Sequence, residues 1–198
     1  MCTFCVVPFT RGRERSRDPK SILREIEELK SKGYREITLL GQNVDSYLWY
    51  GGGLKKDFKN ASELQKKCSL SFSKLLDLIA NKFKNMRIRF TTSNPQDMSE
   101  NVLNTMAKHK NICNHIHLPV QSGSDKVLKL MNRKHTVNDY KKLIDKIKEI
   151  LPGCGISHDM ITGFPNETNE DHRLTIELMK YVKSVSYTHL TLPTIDPV

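Results

Sequence analysis

Long apolar runs are missing from this sequence: no stretch approaches the length of a membrane span, and the opening residues carry no secretory-signal pattern. The chain is therefore expected to stay out of membranes and to reside in the cytoplasm. It has no internal repeat at solenoid period, which sets aside a stacked-repeat architecture. Cysteines number five, an odd count without a signal, which argues against a disulfide framework and for reduced thiols. Acidic excess is absent too, since 32 Lys and Arg against 22 Asp and Glu leave a formal net charge of +10. That sign favours an anionic partner, nucleic acid being the commonest, although a lysine-rich solvated surface accounts for it equally well.

What remains is an ordinary globular composition. With 198 residues, 37% hydrophobic and 27% charged, the chain can build one domain around a real core.

Cys2 and Cys5 stand at C-x-x-C spacing. Such a pair fits zinc, an iron–sulfur cluster, a redox dithiol, or no chemistry at all. Zinc calls for a second pair, and Cys68, Cys113 and Cys154 are single and scattered. Cys113 and Cys154 read as small buried hydrophobes, and Cys68 has no assigned role. A thioredoxin-like pair would open a helix at once, whereas Val6-Val7-Pro8-Phe9 reads as extended chain. A dense run then follows, Arg11, Arg13, Arg15 and Arg17, suited to neutralising a polyanion or an anionic cofactor, or simply to facing solvent.

Beyond it, strand and helix alternate. Asp18-Pro19 starts a helix that Gly33 stops. Strands are predicted at 34–40, 87–92, 115–120 and 155–163, with amphipathic helices between and after them. Residues 48–70, broken by Gly51-Gly52-Gly53, read as an irregular surface insertion. Ser99 and the Thr136/Asp139 pair are candidate helix caps. Met106 and Met131 sit at core positions, and His115, His117 and His158 read as packed or hydrogen-bonded strand residues. The alternation argues an α/β fold with a parallel sheet, barrel or doubly wound, with polar loops at the carboxyl ends of strands, where ligands bind.

Five ordered blocks carry a resemblance. They are residues 1–17, Leu-Gly-Gln-Asn-Val-Asp-Ser-Tyr (40–47), Thr-Ser-Asn-Pro-Gln-Asp-Met-Ser (92–99), His-Leu-Pro-Val-Gln-Ser-Gly-Ser-Asp-Lys-Val-Leu-Lys-Leu-Met-Asn-Arg (117–133) and Asp-Met-Ile-Thr-Gly-Phe-Pro-Asn-Glu-Thr (159–168). Together they closely resemble the radical-SAM methylthiotransferases, in particular the branch acting on tRNA adenosine (MiaB-like). The resemblance implies a partial (β/α)₆ barrel over residues 1–183, with the first strand missing. It also implies that the chain is a piece cut within its own C-x-x-x-C-x-x-C cluster loop. Cys2 and Cys5 would be its second and third cysteines. Residues 184–198 do not match the family's sixth strand and are expected to be a non-native tail, although Val185–Leu192 has strand propensity.

For function, the resemblance implies that Cys2 and Cys5 help hold a [4Fe–4S] cluster whose open iron takes S-adenosylmethionine. Reductive cleavage would then give a 5′-deoxyadenosyl radical that abstracts the C2 hydrogen of N6-(dimethylallyl)adenosine at position 37 of tRNA. Gly41, Gln42 and Asn43 would meet the methionine amino group, or form a plain turn. Ser93 and Gln121 would bond ribose or the methionine carboxylate, or merely stabilise turns. Ile161 and Gly163, with Glu167, would flank the adenine; the family usually has glycine where Asn166 stands. A second cluster in a missing N-terminal domain, tRNA, and a flavodoxin- or ferredoxin-type electron donor complete the implied system. A sister activity on threonylcarbamoyladenosine or a ribosomal-protein aspartate, and an inactive basic RNA-binding module, are the alternatives. Unpaired sheet edges would make the isolated chain poorly soluble.

Overall fold

The computed structural model describes residues 2–191. These residues form two compact units, one of residues 6–92 and 97–113, the other of residues 2–5, 93–96 and 114–191.

In the first unit the chain after the cysteine pair is not extended. Val7–Thr10 makes one helical turn, α1, with proline in its first turn, where the missing N–H costs nothing. α2 (Pro19–Ser31) begins as the sequence requires, the Asp18 carboxylate accepting from the Lys20 N–H. It buries Ile26 and ends before Gly33, whose φ of +87° closes the turn into β1 (Glu36–Leu40). The 48–70 stretch is more ordered than its composition suggests. β2 (Leu48–Trp49) pairs antiparallel with β3 (Leu70–Ser71), and between them α3 (Glu63–Lys67) starts on a Ser62/Gln65 capping box. Gly51, Gly52 and Gly53 all hold positive φ, and Cys68 lies exposed just after α3.

α4 (Phe72–Lys82) follows, then β4 (Arg87–Thr91) and α5 (Glu100–Lys108). β1 and β4 pair in parallel, Glu36 opposite Arg87 through Leu40 opposite Thr91. The core of this unit is Leu76, Ile79, Ile88 and Leu103, all fully buried, each contributing about 1.5–3 kcal/mol of apolar transfer. Ser99 is the N-cap residue of α5, but its side chain makes no cap bond. Cys113 is half-buried rather than buried, and the Arg87 guanidinium donates to its sulfur at 3.6 Å.

The second unit is a parallel sheet with helices. β5 (His115–His117) is shorter than its predicted span because proline at 119 cannot donate to a ladder; the register resumes as a bridge between Gln121 and Met160. α6 (Asp125–Leu130) is capped by Ser124 and α7 (Val137–Ile150) by the Thr136/Asp139 box. β6 (Gly155–Thr162), α8 (Asn169–Val182) and β7 (Ser186–Thr191) complete it, in sheet order β5-β6-β7. β7 falls within Val185–Leu192, the span given strand propensity above; residues 192–198 lie outside the described residues. Ile116, Ile156, His158 and Met160 are buried, and the alternate residues His117, Ser157 and Asp159 are only partly covered. Tyr140 is fully buried, with its hydroxyl donating to the Leu118 carbonyl at 3.0 Å. Met131 is fully buried and Met106 nearly so, as packing residues should be. Cys154 is half-buried, and burial pushes its thiol up to about 11.

Candidate functional site

Each unit carries part of the predicted site. In the first, β1 delivers Gly41, Gln42 and Asn43 into a turn. Gly41 continues the pairing beyond the strand: its N–H donates to Thr91 O at 3.1 Å, and its carbonyl accepts from Thr92 N at 3.2 Å. A Cβ at Gly41 would stand 3.2 Å from the Val44 Cα, so a side chain here would push the turn open. Gln42 is exposed. The Asn43 amide donates to Asp97 Oδ2 at 2.6 Å, while its own Oδ1 is buried and has no hydrogen-bond partner among the described residues. Asp97 in turn pairs with Lys55 at 3.5 Å.

The arginine segment is stitched to this turn. Ser46 Oγ donates to Glu14 Oε2 at 3.0 Å, Leu48 N–H to Ser16 Oγ at 2.9 Å, and the Tyr47 hydroxyl to Arg17 O at 2.8 Å. Burial pushes the Tyr47 phenol well above its usual range, so it stays a donor. Between segment and turn lies a cavity of about 910 Å³, floored by Ile26, Ile37, Phe72 and Leu75 and rimmed by Arg11, Arg13 and Arg15. Arg17 pairs with Glu25; Arg11, Arg13 and Arg15 have no carboxylate partner among the described residues.

The second unit holds the cysteines. Cys5 N–H donates to Cys2 O at 3.2 Å, a tight turn that brings both thiols to one loop. The turn is clasped from the end of α6. Thr3 N–H donates to Met131 O at 3.1 Å and Thr3 Oγ1 to Leu130 O at 3.2 Å. Arg133 donates to Cys2 Sγ at 3.3 Å and to Pro119 O at 2.8 Å. Phe4 meets Phe164 edge to face, with centroids 6.4 Å apart. Among the described residues no group of three His, Cys, Asp or Glu side chains stands ready to hold a metal, so a cluster here needs a donor beyond Cys2 and Cys5. Soft thiolates on one turn, beside a guanidinium, are otherwise the right donor set for iron and sulfide.

Ser93 is buried at 3% exposure, and its N–H donates to His117 O; its hydroxyl has no partner among the described residues. A buried hydroxyl left unpaired is costly, and a ligand that bonds it would remove that cost. Gln121 sits at φ +79°, a conformation rare for a residue with a side chain. Its N–H donates to Asp159 O and its carbonyl accepts from Ile161 N, so the fold brings two predicted residues, Gln121 and Ile161, into direct contact. Ile161 packs with Val127, Met131 and Phe164. Gly163 has φ +74° and open space at its missing side chain. Glu167 closes the following turn by accepting from Phe164 N–H at 3.0 Å. Asn166 stands in that turn at φ +67°, and asparagine is among the few residues that tolerate this conformation.

Sequence reasoning missed a cross-strand polar cluster. His117 Nδ1 meets Ser157 Oγ at 3.0 Å, and His117 Nε2 meets Asp159 Oδ2 at 3.3 Å. The His-x-His and Ser-x-Asp alternation on two predicted strands was the available signal.

The sequence matches the family model described as the radical SAM superfamily over residues 1–179. The chain belongs to the radical SAM superfamily. Within it, the chain is 68% identical over 183 residues to the tRNA-2-methylthio-N(6)-dimethylallyladenosine synthase of Christiangramia forsetii, covering 92% of this chain and 38% of that protein. The protein of the same name from Bacteroides fragilis is 51% identical over 179 residues, covering 90% and 36%. The chain thus spans under two-fifths of the length of these curated relatives. Among solved structures, the radical S-adenosylmethionine methyltransferase TsrM of Kitasatospora setae aligns with a TM-score of 0.68 at 15% identity, covering 96% of this chain and 32% of that one. SuiB of Streptococcus suis aligns at 0.63 and 16%, covering 98% and 36%. Both share their fold with this chain.

Proposed function

We propose that this chain is the catalytic-domain part of a tRNA methylthiotransferase that adds a methylthio group to C2 of N6-(dimethylallyl)adenosine at position 37 of tRNA. The observation that carries the reading is identity of 68% over 183 residues to a relative bearing that name, with the C-x-x-C turn within the matched family region. Cys2 and Cys5 would supply two thiolates of a [4Fe–4S] cluster, which needs a further donor beyond the described residues. When bound, the cluster and S-adenosylmethionine supply one-electron, hydrogen-abstracting chemistry.

The chain's own residues bind and orient. Gly41 lets backbone approach the methionine end of the ligand. Asn43 Oδ1 and Ser93 Oγ, each buried and without a hydrogen-bond partner among the described residues, are each free to bond a polar group of a ligand. Gln121 holds a left-handed backbone, and the open space at Gly163, two residues after the packed Ile161, leaves room for a flat base. Arg11, Arg13 and Arg15 meet RNA phosphates. A second cluster, a flavodoxin- or ferredoxin-type donor and a cytoplasmic setting belong to the same reading. Residues 184–198 are proposed to be a foreign junction, which an uninterrupted native reading frame in source DNA would refute.

Mass spectrometry of tRNA nucleosides from a deletion strain tests the activity. The 2-methylthio-dimethylallyl nucleoside should vanish, leaving its unthiolated precursor, and the intact gene but not its Cys2→Ala form should restore it. Persistence of that nucleoside in the deletion strain rejects the proposal.

A further inference from the structure

We infer that Arg133 is a positioning residue that sets the reduction potential of the cluster held at Cys2, by donating a hydrogen bond to the ligating sulfur. This rests on the cluster reading above. The guanidinium is not a loose surface charge. One nitrogen is fixed to the Pro119 carbonyl at 2.8 Å while another lies 3.3 Å from Cys2 Sγ. Its Nε is buried, and no carboxylate pairs with the side chain among the described residues. The neighbouring Thr3 is fixed to the carbonyls of Leu130 and Met131, so the turn bearing Cys2 is held against the carboxyl end of α6.

Helix carboxyl ends carry partial negative charge and would disfavour a thiolate–iron centre placed beside them. Arg133 supplies the opposing charge at the sulfur itself. An N–H bond to a cluster sulfur favours the more negative, reduced state and so raises the potential. The planar fork spans carbonyl and sulfur together, a geometry that the single ammonium of lysine does not reproduce.

The test uses the intact protein, reconstituted anaerobically with iron and sulfide, as wild type, Arg133→Lys and Arg133→Met. The midpoint potential is read by EPR-monitored redox titration without S-adenosylmethionine, and the rate of iron loss to a chelator is read in parallel. Both variants should shift to more negative potential, Arg133→Met further. Iron loss should be about 10-fold faster, as outer-shell changes at metal sites generally give. A purely structural role would change melting temperature without moving the potential. Should Arg133→Met fail to fold, Arg133→Lys decides. A wild-type potential retained in Arg133→Lys overturns the inference and leaves the cluster reading standing. A wild-type protein that takes up no cluster overturns both.

Discussion

Gln121 pays for its left-handed backbone, a cost on the order of 1 kcal/mol or more for a residue that is not glycine. Replacing it with glycine separates that cost from its use. Gln121→Gly should melt no lower than wild type, or higher by the equivalent of about 1 kcal/mol, yet bind S-adenosylmethionine several-fold more weakly by calorimetry. Unchanged affinity would reduce Gln121 to a turn residue. Asn166, also left-handed, shows the limit of reading residues singly. The sequence shows asparagine in a Pro-Asn turn, but what that residue costs there depends on φ, which only the folded chain supplies. Ser93 and Asn43 were legible as polar residues after strands; that each keeps a buried atom unpaired among the described residues was not, because burial is set by distant packing.

Elements carry the next level. The turn before α6 is pressed onto α8: a Cβ on Gly123 would lie 2.5 Å from Leu174 O and Thr175 Cα. Gly123→Ala should therefore destabilise by about 1–3 kcal/mol or more, measured by denaturant unfolding, since backbone and not a flexible side chain blocks it. The same contact is secured by Ser124 and Lys126 on Asp171, whose carboxyl they and Thr168 hold far below its usual range. Near α7, burial, followed by the charge of Arg133, lowers His135 from 6.5 to about 4. The folded state keeps this ring neutral, so its contribution is complete above pH 6.5 and is lost as pH falls towards 4, amounting to up to about 3 kcal/mol. His158, lowered by burial too, acts in the same direction. His135→Phe should flatten the fall in melting temperature across that window, leaving a smaller slope from His158.

Helix caps at Asp18, Thr136 and Thr168 were readable because each is decided within four residues. The first two were in fact read. The His117–Ser157–Asp159 cluster was not, since it requires the β5–β6 register, with His117 opposite Ser157. The turn α1 and the β2–β3 pair were missed for a related reason: both are short and are held by tertiary contacts rather than by periodicity.

For the molecule as a whole, alternation of strand and helix was enough for the α/β class and its parallel pairing. Choosing a radical SAM fold over a doubly wound one needed the motifs. The charge of +10 becomes testable through salt. Arg11, Arg13 and Arg15 have no carboxylate partner among the described residues, and three phosphate contacts to single-stranded RNA would contribute about 2 to the slope of log affinity against log salt. Changing all three to glutamine should lower the measured slope by about that amount; an unaltered slope would assign RNA contact elsewhere. The exposed thiol of Cys68 has a practical side. In air it offers a route to covalent pairing of two polypeptides, which would mimic a native dimer on a non-reducing gel and dissolve under dithiothreitol.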